Sequence, residues 1–222
     1  MTFEEIRGRA IRVWEAIRSS TKPLILIGTA TCGRAAGAME VLGRIDRELG
    51  ERGIDADVVQ VGCMGHCYAE PLVTIAKPGY PPILYGYVTP GTASQLIENF
   101  ILGDDPCLEF ALGALEAHEL IPTIFDMPRF RYERRILLGN CGFIDPRNIN
   151  HYIANGGYSA LVKALEMSPD DVIGEVKRSG LRGRGGAGFP SGEKLRICRE
   201  AKGEPKYVIC NGDEGDPGAF MD

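Results

Sequence analysis

Ten of the chain's 29 glycines fall between residues 180 and 218, and the densest run is Ser179-Gly-Leu-Arg-Gly-Arg-Gly-Gly-Ala-Gly-Phe-Pro-Ser-Gly192. Glycine has no Cβ and adopts positive φ without steric cost, so such a run is built as a loop whose backbone N–H groups can converge on an anion. Helical signals flank it. The first is opened by Ser168 as N-cap, with Pro169 at the first helical position and Asp171 at the capping-box position, and runs to about Ser179. The second spans Glu193 to Ala201, so a positive helix end follows the loop directly. Arg182, Arg184 and Lys194 add charge suited to phosphates. The Walker pattern Gly-x4-Gly-Lys-[Ser/Thr] does not occur, and no strand leads into the loop as the dinucleotide fingerprint requires. A flexible surface loop is the bland alternative; the alternation of Gly with Arg and the ending in Phe189-Pro190 speak against it.

The 222 residues suffice for one or two globular domains. A net charge of −5, spread along the chain, argues against an electrostatic nucleic-acid binder. No apolar run approaches the ~18 residues of a membrane span, and the charged first turns are no secretory leader. The expectation is a cytoplasmic protein without direct membrane insertion. Seven cysteines in a reducing compartment read as ligands, buried thiols or redox groups rather than disulfides.

The first hundred residues read as a compact α/β unit. Phe3, Ile6, Ala10, Val13, Trp14 and Ile17 recur at helical spacing, and Pro23–Ile27 is a buried-strand run ending at Gly28. A helix over Ala35–Leu49 follows, then strands at Asp57–Val61, Pro71–Ile75 and Ile83–Tyr87, and a helix over Pro90–Leu102. Residues 104–134 are interrupted by Asp and Pro and read as a linker. Beyond it come a strand-like Arg135–Leu138, short helices over Pro146–Ala154 and Tyr158–Met167, and a strand over Lys206–Cys210. That last strand leads into Asn211-Gly-Asp-Glu-Gly-Asp-Pro-Gly218, whose carboxylates suit a metal or the hydroxyl and N–H donors of a nucleotide. An acidic turn is the alternative.

The glycine-rich run, Lys194 and the stretch Lys206-Tyr-Val-Ile-Cys-Asn-Gly-Asp-Glu-Gly-Asp-Pro-Gly-Ala-Phe-Met-Asp222 resemble the FMN-binding flavoprotein subunit of NADH:quinone oxidoreductase. They are most similar to its relatives in NAD(P)-reducing hydrogenases and formate dehydrogenases. The resemblance extends back through Ile136-Leu-Leu-Gly-Asn-Cys-Gly-Phe-Ile-Asp-Pro146, covering about residues 135–222. It implies that Gly183, Arg184, Gly185, Gly186, Ala187 and Gly188 hold FMN and the phosphates of NADH or NADPH, and that Lys194 contacts FMN. It also implies that Phe189 stacks on adenine and that Asn211, Asp213 and Glu214 bind the FMN phosphate, ribityl chain or ring. Asp216 stands where respiratory members commonly carry Glu near the nicotinamide ribose, and Ile197 where many relatives are aromatic. Hydride transfer requires no acid or base residue, and none is assigned.

The first unit resembles a thioredoxin-like [2Fe–2S] ferredoxin domain in its β/α order and in the spacing of Cys32 and Cys63-Met-Gly-His-Cys67. That domain uses four cysteines, and the position of the first is Ile27 here. Either His66, an oxygen ligand such as Thr31 or a shifted Cys completes the set with Cys32, Cys63 and Cys67, or the cluster is lost and the unit serves for docking. A zinc site is a third reading. Cys107, Cys141, Cys198 and Cys210 read as inert thiols.

The implied fold class is α/β, with a thioredoxin-like ferredoxin domain over 1–103, a linker over 104–134 and the opening of an FMN/NADH-binding domain over 135–222. The implied activity is electron transfer from NAD(P)H through FMN to iron–sulfur centres, with other iron–sulfur subunits of a redox complex as partners. Hydrogenase or formate dehydrogenase complexes are favoured by the fused N-terminal domain over respiratory NADH dehydrogenase. A non-enzymatic docking or electron-carrier module is the competing class. Family members continue past the position of Asp222 into the rest of the flavin site and a [4Fe–4S] domain, so the chain alone is expected to be an inactive fragment.

Overall fold

The computed structural model describes residues 1–19, 21–119, 121–128 and 130–209. They form two compact units, Met1–Gly157 and Tyr158–Asp222, the second described as far as Ile209.

The first unit opens with α1 (Phe3–Arg18), started by a capping box in which Thr2 N–H donates to Glu5 Oε2 at 2.7 Å and Glu5 N–H to Thr2 Oγ1 at 3.3 Å. Then come β1 (Leu24–Gly28), a single-turn α2 (Thr31–Ala35), α3 (Ala38–Arg52) and β2 (Asp57–Val61). Next are β3 (Val73–Ala76), β4 (Ile83–Tyr85), α4 (Pro90–Gln95), which continues in wider π-type turns over Leu96–Leu102, and β5 (Ala111–Ala114). The five strands lie in the order β2-β1-β3-β4-β5. β1 and β2 are parallel, whereas β3 is antiparallel to β1 and the remaining neighbours are antiparallel. A βαβ unit followed by an antiparallel pair and a helix is the thioredoxin-like arrangement.

Alternation along the strands separates two cores. Ile25, Ile27, Ile75, Ile83 and Tyr85 pack with Val41 and Ile45 of α3 and with Leu96, Ile97 and Phe100. Leu84, pointing the other way, joins Met64, Ala69, Leu72, Ile124 and Phe130.

Three expectations for the first unit change. The helix foreseen over Ala35–Leu49 is broken into α2 and α3 at Gly37, whose φ of +100° is incompatible with continuing a right-handed helix. Residues 104–134, read as a linker, contribute β5, with Ala114 opposite Ile83. Ala-Leu-Gly-Ala has little intrinsic strand preference, and the exposed edge of β4 decides its conformation. Residues 135–138 form no strand: Ile136 and Leu137 remain exposed, so extension wins no burial, while Arg135 Nη2 donates to the Met64 carbonyl at 2.5 Å.

Residues 135–157 group with the first unit because α5 (Ile149–Ala154) packs on α1, with the Trp14 and His151 rings edge to face at 4.9 Å. His151 is buried, and its Nδ1 accepts the Asp145 backbone N–H at 3.1 Å, which fixes the proton of the neutral ring on Nε2. Burial holds its pKa below the ordinary 6.5, and the nearby Asp145 only partly offsets this. The unfolded chain therefore takes up a proton, as pH falls through about 6.5, that the native state refuses. Stability is expected to decline between pH 7.5 and 5, and His151→Gln to flatten that decline, as read from thermal midpoints across the range. Equal slopes for the two proteins would refute the assignment.

The second unit holds α6 (Ser159–Leu165), α7 (Pro169–Arg178) and α8 (Ser191–Glu200). Asp171 N–H donates to Ser168 Oγ at 3.1 Å, the expected cap. Residues 206–209 form no strand, and Tyr207, Val208 and Ile209 are exposed. A strand requires a pairing edge, and none faces them among the described residues.

Candidate functional site

Parallel pairing puts the carboxyl ends of β1 and β2 at the same sheet edge, and antiparallel pairing brings the start of β3 there too. Cys32 follows β1 on α2, Cys63 and Cys67 follow β2, and Glu70 precedes β3. Four residues from two segments, α2 and the β2–β3 loop, thus lie at the same end of the sheet. Cys63 Sγ and Cys67 Sγ lie 3.5 Å apart. Two thiolates on one tetrahedral metal, with bonds of ~2.3 Å, would stand roughly 3.8 Å apart, so this pair has the right separation. The Cys32 thiol is pushed above its ordinary range, first by its hydrogen bond with Cys67 and the charge of that neighbour, then by burial and the charge of Glu70. As placed, no group of three or more His, Cys, Asp or Glu side chains able to hold a metal ion is assembled among the described residues. The thiols contact one another instead.

Ile27 is completely buried in the sheet, as expected of a residue that cannot serve as a ligand. Thr31 is exposed on the first turn of α2. His66 is buried between the two cysteines, its ring 4.7 Å from Phe130 and its Nδ1 3.3 Å from Tyr68 Oη. Sequence reasoning missed Glu70. It is 7% exposed, and Oε2 accepts the Leu72 backbone N–H at 2.9 Å. Burial raises its carboxyl pKa, against lowering contributions from that N–H and from the neighbouring Cys63 thiol. An acidic residue lodged between apolar strand signals, in Ala69-Glu-Pro-Leu72, was the one available hint.

In the second unit the glycine-rich loop connects α7 to α8. Its two ends are tied together: Gly183 N–H donates to the Phe189 carbonyl at 2.8 Å and Ser191 N–H to Leu181 at 2.9 Å, with Arg182 bridged to Pro190. Gly186 (φ +94°) and Gly188 (φ +63°) supply the left-handed turns that the density of glycine required. Arg182 Nη1 donates to the Gly188 carbonyl at 3.3 Å and so braces the loop. Arg184 and Lys194 are exposed and have no ion-pair partner among the described residues. By contrast Arg196 and Lys177 converge on Glu193 and hold its carboxyl down to about 2. Phe189 is half-exposed beside the loop. The arrangement presents backbone N–H groups, a helix N-terminus and two uncommitted cations, which suits phosphate. Asn211, Asp213, Glu214 and Asp216 lie outside the described residues.

The loop is a candidate anion site, and part of the chain is similar to known proteins. Residues 176–222 match the family described as the Nuo51 FMN-binding domain. The chain is similar to the NADP-reducing hydrogenase subunit HndC of Solidesulfovibrio fructosivorans, at 59% identity over 88 residues, 40% of this chain and 18% of the relative. It is 52% identical over 88 residues to an NADH-quinone oxidoreductase subunit of Rhizobium meliloti, covering 39% of this chain and 21% of that one. Similarity to the NAD-reducing hydrogenase HoxS subunit alpha of Cupriavidus necator runs over 211 residues at 30% identity, 92% of this chain and 32% of the relative. Among solved structures, a thioredoxin-like [2Fe–2S] ferredoxin from Aquifex aeolicus aligns with a TM-score of 0.39 at 16% identity, over 44% of this chain and 96% of that one. The chain thus spans about a fifth to a third of the length of these curated relatives. None of its helices is long and apolar enough to cross a membrane, among the described residues.

Proposed function

We propose that this chain forms part of an NAD(P)H:acceptor oxidoreductase, a flavoprotein subunit of a multi-subunit hydrogenase, formate dehydrogenase or NADH dehydrogenase complex in the cytoplasm. FMN, when bound, supplies the conversion of a hydride's electron pair into the single electrons that iron–sulfur centres accept. The observation that carries this reading is the Gly-Arg loop between α7 and α8, lying within the Nuo51 FMN-binding match. There Gly183, Gly185, Gly186, Ala187 and Gly188 offer backbone N–H groups, and Arg184 and Lys194 neutralise phosphate. Phe189 offers a face for adenine, and Asn211, Asp213, Glu214 and Asp216 accept hydrogen bonds from the flavin and ribose. The first unit receives electrons at an iron–sulfur centre held by Cys32, Cys63 and Cys67, and other iron–sulfur subunits are its partners.

Flavin fluorescence titration tests the reading, with the chain as it stands and with a version continued past Asp222 to the length of its relatives. FMN is expected to bind the longer protein, and Lys194→Ala to weaken it about tenfold, the value of one charge-assisted hydrogen bond. Failure of the longer protein to bind FMN would overturn the proposal. A second reading, a docking module without cofactor, is favoured by Ile27 at the first cysteine position and by the lack of an assembled three-residue metal group among the described residues.

A further inference from the structure

We propose that Cys63 and Cys67 form a dithiol–disulfide exchange site, closed to an intramolecular disulfide by a small-molecule disulfide of the glutathione class and reopened by the corresponding thiol. The inference goes beyond the flavin reading of the glycine-rich loop. It rests on the second reading of the first unit, a module without cofactor, since no group of three or more metal-holding side chains is assembled there among the described residues.

The two sulfurs lie 3.5 Å apart on one loop. A disulfide bond is about 2.05 Å long, so closure asks them to approach by about 1.5 Å, which side-chain rotation supplies. The backbone between them is already set. Gly65 turns the chain at a φ of +93°, and the intervening Met64 and His66 are buried, which leaves Cys67 exposed and Cys63 half-buried. Arg135 Nη2 donates to the Met64 carbonyl and Ala69 N–H to the His66 carbonyl at 2.9 Å, so the loop is fastened on both sides of the turn. Folding has thus met the entropy cost of closing the ring, and each thiol is a better partner for the other than any thiol from solution. Gly65 N–H also donates to Cys63 Sγ at 3.3 Å, a contact suited to a sulfur that gains negative charge as it attacks or leaves.

Cys67, the exposed member, meets the incoming disulfide RSSR first. Its thiolate attacks one sulfur, the Cys67–SR bond forms, the S–S bond of RSSR breaks and the first thiolate RS⁻ leaves. Cys63 then attacks Cys67 Sγ, the Cys63–Cys67 bond forms and the second RS⁻ leaves. The two thiol protons pass through solvent to the departing thiolates. The dithiol has given up two electrons and two protons, and RSSR has become two RSH.

Incubation of the full 222-residue chain, purified reduced and without air, with oxidised glutathione tests this, read by intact mass and peptide mapping. Wild type is expected to lose about 2 Da for the pair, to map a Cys63–Cys67 bridge, and to regain both thiols in excess reduced glutathione. In Cys63→Ser the glutathione adduct on Cys67 should last about tenfold longer or more, because a resolving thiol at an effective concentration of about millimolar or above is gone. The wild-type map decides the matter alone if Cys63→Ser fails to fold. A bridge from Cys32 to Cys67 in its place, or a lasting glutathione adduct on wild-type Cys67, would overturn the pair. Iron and sulfide retained by the purified chain, with both thiols closed to glutathione, would overturn it in favour of an iron–sulfur centre. FMN titration of the longer protein reports on the loop between α7 and α8, so the flavin reading stands or falls separately.

Discussion

Phe100→Ala is expected to destabilise the first unit by about 3–5 kcal/mol, the usual cost of emptying a fully buried aromatic site. Phe100 is completely buried where the helical turns after α4 meet the sheet. Its ring lies edge to face with Tyr80 at 5.1 Å and with Tyr85 at 6.4 Å, and the Lys77 ammonium stands 5.6 Å from its centroid. The backbone here is anchored as well, since Lys77 Nζ donates to the Phe100 carbonyl at 2.8 Å and pairs with Asp104 Oδ1 at 2.8 Å. The surrounding groups are thus held from several directions and cannot collapse into the space, which places the cost toward the upper end. Thermal unfolding should show a midpoint lowered by about 6–20 °C for a unit of this size. A change under about 1 kcal/mol would mean that the core relaxes far more readily than this packing implies.

Gly33→Ala has the second-largest expected effect. A Cβ at this position would overlap the Gly28 carbonyl oxygen, which is backbone and cannot swing away, and would press on Glu70. Overpacking of this kind costs about 3 kcal/mol. Gly43→Ala in α3 is the matched comparison: a Cβ there meets nothing within 4 Å, so the ordinary helix preference for Ala should stabilise by about 0.5–1 kcal/mol. Opposite signs in urea denaturation are the expected result. Equal small effects would show that the turn between β1 and α2 gives way, and that Gly33 does not hold the thiol segment against the sheet.

Much of the fold was legible because its signals are local. The buried run ahead of Gly28, the helical spacing in Phe3–Arg18 and Ala38–Arg52, and Ser168 capping Pro169–Arg178 each depend on neighbours a few residues away. Those that failed depend on partners distant in sequence. Ala111–Ala114 is a strand because β4 offers an edge, whereas the more apolar Ile136–Leu138 is none, and no composition of either segment foretells this.

The candidate sites divide in the same way. The glycine-rich loop announced itself because its chemistry resides in its own backbone: positive φ at Gly186 and Gly188 and the uncommitted Arg184 and Lys194 follow from residue types within one short stretch. The three cysteines were legible as candidates but not as a group. Cys63, Cys67 and Glu70 share the loop between β2 and β3, and only strand pairing, parallel for β1 with β2 and antiparallel for β1 with β3, carries Cys32 to the same end of the sheet. The sequence by itself determined which side chains could bind a phosphate or a metal. The tertiary structure alone decided that Cys32 meets the loop carrying Cys63, Cys67 and Glu70, because proximity across some thirty residues is set by sheet topology and not by spacing along the chain.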